Sequence, residues 1–134
     1  MPRYRLRGQS LVEFTFVVIF LLILLGGIID VGRALALYVR LADAAEEGAA
    51  YASVHPTDTA GIEARALAQT ESSTAQVTIT FLTEPCAGHG VEVRVQDELP
   101  LIFPFTRWFW PQGRVALHAQ ASHTVLRPLC TGNP

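Results

Sequence analysis

The chain has 134 residues, half of them hydrophobic, and a formal charge of −2. That length holds one small domain and an anchor, and the apolar residues gather near the N-terminus in a way that a soluble single-domain enzyme rarely shows. All ten basic residues are arginine, scattered without a basic face, so nucleic-acid binding along phosphates is excluded as a reading.

The first element is a short basic tail with Arg3, Arg5 and Arg7, ending at Gly8. An apolar run follows. Residues 14–29 carry no charge and Thr15 is their one polar side chain. With Leu11 and Val12 the run spans roughly 28 Å as a helix, close to the ~30 Å bilayer core. The arginines before it place the N-terminus in the cytoplasm and the rest of the chain outside. Glu13 sits inside this run, and an ionisable group there is costly unless it snorkels or finds a partner.

Three readings of this N-terminus are open. One is a signal anchor, with Glu13 near the positive end of the helix dipole. Another is a cleaved secretory signal, with Ala34-Leu35-Ala36 as the small-residue site. The long run, and the helical pattern continuing through Asp30 and Arg33, speak against it. The third rests on the order Gly8-Gln9-Ser10-Leu11-Val12-Glu13-Phe14, which resembles the processing site of type IV prepilins. That resemblance implies a cut after Gly8 by a membrane peptidase. The formal charge then goes from −2 to −5 as three arginines leave. Gln9 gains an α-amino group, cationic below a pKa of about 8, and Glu13 of a neighbouring subunit is its natural partner. Loss of either member of such a buried pair costs roughly 3–5 kcal/mol.

Helical pattern continues over residues 30–54, where there is no proline. Val31, Leu35, Tyr38, Ala42, Ala45, Ala49 and Ala52 alternate in steps of four and three and form one apolar stripe. Its partner is the chain's own outer domain or neighbouring helices in a filament. Asp30/Arg33 and Arg40/Asp43 are i,i+3 pairs. Glu46 and Glu47 read as a solvated face. Gly26-Gly27 is a hinge or a small-residue contact, and Pro56 ends the helix near Val54.

The segments GQSLVEF, GGIIDVGRAL and LADAAEEGAAYA together resemble the TadE-like family, pseudopilins (minor pilins) of the tight-adherence, or Flp, pilus system. The resemblance covers roughly residues 7–52. It matches Gly8 at the cut, Glu13 followed by the aromatic Phe14, and the helical turn Asp30, Gly32, Arg33. It departs where many members have an early proline, here Ile19 or Phe20, and where many have arginines at the positions of Glu46 and Ala50. The resemblance implies a membrane-inserted structural protein whose partners are the membrane, a prepilin peptidase and other pilins of the assembly machinery. It implies the inner membrane as location, N-terminus inside, or an extracellular pilus.

Beyond the long helix, residues 60–70 read as a second helix with Thr57 or Asp58 as N-cap. Three strands follow at 76–83, 91–96 and 114–126, each alternating apolar and polar residues, the mark of a sheet with one buried and one wet face. Between the last two lies a segment with three prolines and the aromatics Phe103, Phe105, Trp108, Phe109 and Trp110. It is either a contact surface for protein or membrane headgroups or a loop folded over the core. Cys86 and Cys130 are one disulfide or two buried thiols. His118 and His123 have opposite strand parity, so they share no metal, and no zinc spacing or phosphate loop is present. The expectation is therefore no enzyme, no cofactor, no metal and no small-molecule substrate. The fold class is α+β: a long transmembrane and stalk helix packed on a small antiparallel sheet, pilin-like. Its parts are a cytoplasmic leader (1–8), a transmembrane helix (9–30), an amphipathic continuation (31–55) and an extracytoplasmic domain (56–134).

Overall fold

The computed structural model describes residues 6–70 and 72–127 of the chain. Its first element, α1 (Leu6–Val54), is a single 49-residue helix, about 73 Å long at 1.5 Å per residue. It passes through Gly26-Gly27 without interruption. Over residues 8–25 every side chain but Val18 is exposed, and α1 is long and apolar enough to cross a membrane.

Pro56 stops α1, and the His55 N–H closes its last turn on the Tyr51 carbonyl at 3.0 Å. The helix α2 (Thr59–Ala68) then starts at Asp58, whose Oδ1 accepts the Gly61 N–H at 3.0 Å. The Tyr51 hydroxyl donates to the other oxygen at 2.9 Å. The Gly61 N–H and then the Tyr51 hydroxyl hold the Asp58 carboxyl below its ordinary pKa.

Three strands follow: β1 (Gln76–Phe81), β2 (Gly90–Pro100) and β3 (Arg114–Thr124). They form one antiparallel sheet in the order β1-β2-β3. The alternation marks the register, with Val93 opposite both Ile79 and Ala121. One face of β2 is buried through Val91, Val93, Val95, Asp97 and Leu99.

That face packs on α1 and α2. Leu41, Ala44, Ala45, Ala49 and Ala52 of α1 and Ile62 and Ala66 of α2 complete the core. A Cβ on the buried Gly48 would stand 3.1 Å from Val93 Cγ1 and 3.2 Å from the Ala66 Cβ. Small side chains on α1 therefore set the helix-to-sheet distance.

The stripe expected on α1 is correct only in its second half. Ala45, Ala49 and Ala52 are buried, but Val31, Leu35 and Tyr38 are exposed. Above Leu41 the inward face rotates to Leu37, Ala34, Arg33 and Asp30. Counting apolar residues missed this because the inward residues nearest the apolar run, Asp30 and Arg33, are polar.

The second strand runs four residues past its expected end at Gln96. Asp97 hid the continuation, since aspartate is rare in strands. Here its carboxylate is buried yet satisfied by the Thr74 hydroxyl at 2.6 Å and the Glu98 N–H at 2.8 Å. The third strand ends at Thr124, two residues early, because the chain turns back to α1. The Leu126 N–H donates to the Ser53 carbonyl at 2.7 Å.

Candidate functional site

Two constellations on α1 carry the residues singled out by sequence. The first is the recognition segment. Gly8, Gln9, Glu13 and Phe14 all lie on exposed helix, and the Gln9 amide donates to Glu13 Oε1 at 3.4 Å. Thr15, one turn beyond Leu11, donates its hydroxyl to the Leu11 carbonyl at 2.8 Å, which removes the one other polar group of the run. Among the described residues Glu13 has no cationic partner.

The second constellation lies at the other end of the apolar run. Asp30 is 3% exposed. Its Oδ1 accepts the Ile102 N–H at 3.3 Å and lies 3.5 Å from the Arg33 guanidinium. Its Oδ2 accepts the Phe103 N–H at 3.3 Å. The Thr106 hydroxyl lies 3.0 Å from Oδ2 and 2.6 Å from the Phe103 carbonyl, and its single proton is shared between them. Arg33 also donates to the Pro100 carbonyl at 3.1 Å. The pair expected within one helical turn is thus a clamp on a loop about 70 residues away in sequence.

Gly26 belongs to the same clamp. The Phe103 ring lies over it, and a Cβ there would stand 2.5 Å from ring carbon Cδ1. This glycine is a seat for an aromatic ring. Gly27 and Gly32 have nothing within 4 Å of a Cβ position, so Gly32 packs against none of the described residues.

The clamped loop spans residues 101–113. Its neck is closed by the Leu101 N–H on the Gly113 carbonyl at 2.9 Å. Gly113 takes a φ of +66°, which suits glycine best. Inside it the single turn α3 (Thr106–Phe109) is capped by the Trp110 N–H on the Thr106 carbonyl at 3.1 Å. Trp108 and Phe109 are 88% and 80% exposed, and Phe105 and Trp110 are also exposed. Of the five aromatics named from sequence, Phe103 alone turns inward, onto α1. The loop does not fold over the domain core.

Residues 8–50 match the TadE-like protein family. That TadE-like segment contains Gly8, Gln9, Glu13, Phe14, Asp30, Gly32 and Arg33, and it ends on the last turns of α1. The matched family is one of pilus-associated minor pilins, and α1, which carries the match, is long and apolar enough to cross a membrane. No curated protein and no solved structure matches the chain. The sheet and the aromatic loop therefore lie beyond the matched segment.

The remaining candidates are dispersed. Cys86 is disulfide-bonded, while Cys130 lies outside the described residues. His55 stacks on Tyr51 with ring centroids 4.7 Å apart. His89 Nδ1 meets the Glu84 carbonyl at 3.1 Å. His123 Nε2 lies 2.7 Å from Glu46 Oε1, and Arg65 lies 3.3 Å from Glu47. The two glutamates read as a solvated face keep exposed side chains, and each also meets a partner, one on the sheet and one on α2. Sequence reasoning offered Gly26 as a small-residue contact without its partner ring, and it missed Thr106 and the Ile102 and Phe103 amides. The one signal for them was an aspartate and an arginine, i and i+3, where the apolar run stops.

Proposed function

We propose that this chain is a pseudopilin of a tight-adherence pilus, cut after Gly8 by a prepilin peptidase and active in assembling or priming the filament. The observation that carries the reading is Glu13. It is an acid near the start of an exposed apolar helix, five residues beyond Gly8, within the segment that matches the family. Among the described residues this carboxylate meets the Gln9 amide and no cation, so another molecule is a natural source of its counter-charge. The amine created on Gln9 of a neighbouring subunit supplies a unit positive charge at a fixed register. Pairing neutralises both groups in apolar surroundings, and a wrong register leaves both unpaired, so the pair selects one packing.

Phe14 continues the exposed face next to Glu13. The exposed Val31, Leu35 and Tyr38 extend an apolar face of α1 beyond the membrane and suit helix-to-helix packing between subunits.

The test is the intact mass of the protein from the membrane fraction of its native host, joined to a Glu13→Gln variant. A chain starting at Gln9, with the variant processed but missing from pilus-associated complexes, is the expected result. A chain starting at Met1, with the variant incorporated normally, leaves an unprocessed single-pass anchor for a partner-binding domain and overturns the pseudopilin reading.

A further inference from the structure

We infer that the loop at residues 101–113 is a second membrane anchor, in which Trp108, Phe109 and Trp110 insert into the outer-leaflet headgroup region of the bilayer that α1 crosses. The inference rests on α1 being membrane-spanning. Its first support is position. Phe103 lies over Gly26, and Gly26 stands three residues before the last residue of the apolar run. That is about 4.5 Å of helix rise. The interfacial region on each side of the ~30 Å hydrocarbon core is roughly 5–7 Å deep. Phe103 thus sits just inside the end of the run, while Asp30, which holds the Ile102 and Phe103 amides, stands one residue beyond it, so the base of the loop straddles the inner edge of that region.

Composition and rigidity are the second support. Tryptophan and other aromatic rings are enriched at this depth because an apolar body meets lipid while a polar edge meets water. Both tryptophans of the chain lie in this loop. Its rings are the most exposed aromatic surface of the outer domain, with Trp108 at 88% and Phe109 at 80%. The neck bond from Leu101 to Gly113 and the Asp30 clamp fix the loop on α1, so the rings are presented without a large ordering cost. Two attachment points, one spanning and one interfacial, set the tilt and rotation of the outer domain over the bilayer.

The chain's own tryptophans are the probe, since its fluorescence reports on this loop alone. The full chain is reconstituted in phosphatidylcholine vesicles containing a minority of phosphatidylglycerol, and flotation is checked first. The expected result is blue-shifted emission, protected from aqueous iodide. Quenching should be several-fold stronger from lipids brominated near the headgroup than from lipids brominated near the chain ends. Trp110→Phe leaves Trp108 as sole reporter and keeps that pattern. Floated protein whose emission is red, open to iodide and indifferent to bromine overturns the inference and leaves α1 as the sole anchor. Blue emission without bromine quenching, relaxing on dilution into excess lipid, also overturns it, because the rings then face another protein chain. Failure to float overturns the membrane reading beneath it, and the inference with it.

Discussion

Asp30→Asn tests whether the loop is held by the carboxylate or merely rests against α1. The change keeps volume but replaces one carboxylate oxygen with an amino group. Each oxygen has its own donors: Ile102 N–H and Arg33 at one, Phe103 N–H and Thr106 at the other. Whichever way the amide turns, a donor faces a donor. One backbone N–H is left unsatisfied at about 1–3 kcal/mol, and the surviving contact loses its charge assistance. We expect the docked loop to weaken by about 3 kcal/mol in total, or roughly two orders of magnitude in its opening equilibrium. The sheet core shares no hydrogen bond with Asp30 and should keep its stability. The assay is amide hydrogen exchange in lipid nanodiscs. Ile102 and Phe103 should exchange about a hundred times faster in the variant, with the Val93 amide unchanged. Exchange at Ile102 and Phe103 within threefold of the parent would refute the clamp. Equal acceleration at Val93 would show that Asp30 supports the whole domain instead.

Two further outcomes follow from the packing and titration of the domain. Gly48→Val should destabilise the full chain in detergent by about 1–3 kcal/mol through overpacking, since its Cβ would already stand 3.1 Å from Val93; Gly32→Ala meets nothing and should gain up to about 1 kcal/mol of helix propensity, both read from denaturant midpoints. Burial pushes the Asp97 carboxyl up, but the Thr74 and Ser72 side chains and the Glu98 N–H outweigh it and leave the pKa lowered. Stability from Asp97 is therefore present above its unfolded pKa of about 3.9 and lost as pH falls through the lower folded value. Asp97→Asn should cost about 1–2 kcal/mol near neutrality and little in strong acid; an equal deficit at both would mean that the charge does not contribute.

Much of the fold was legible because period gave it away. Val77-Ile79-Phe81 and Val91-Val93-Val95 alternate as strands must, and the absence of proline over residues 30–54 left the helix nowhere to stop. Two of the misreadings share a cause: polar residues on inward faces. Asp97 hid the last turns of β2, and Asp30 and Arg33 hid the rotation of the buried face of α1. Each is buried only because a remote donor or acceptor meets it, Thr74 for Asp97 and the 101–106 loop for Asp30. No local pattern encodes such a partner. Gly26 was visible as a glycine, but a ring seated on it is a tertiary fact.

The contrast between Glu13 and Asp30 is the strongest reason to assign them different work. Both are acids at the edges of one apolar helix, about 25 Å apart by helix rise. Water is scarce at both, so both need compensation. Asp30 receives it inside the chain, from two amides, a hydroxyl and a guanidinium. Glu13 receives from the described residues one amide at 3.4 Å. A single long neutral contact does not offset a charge in an apolar setting. The internal acid can therefore shape the domain, by pinning the aromatic loop, but it has nothing left to offer a second molecule. The acid that meets no cation among the described residues is the one whose free energy depends on its neighbours, and in the proposed assembly that dependence is what makes one register of packed helices better than the next.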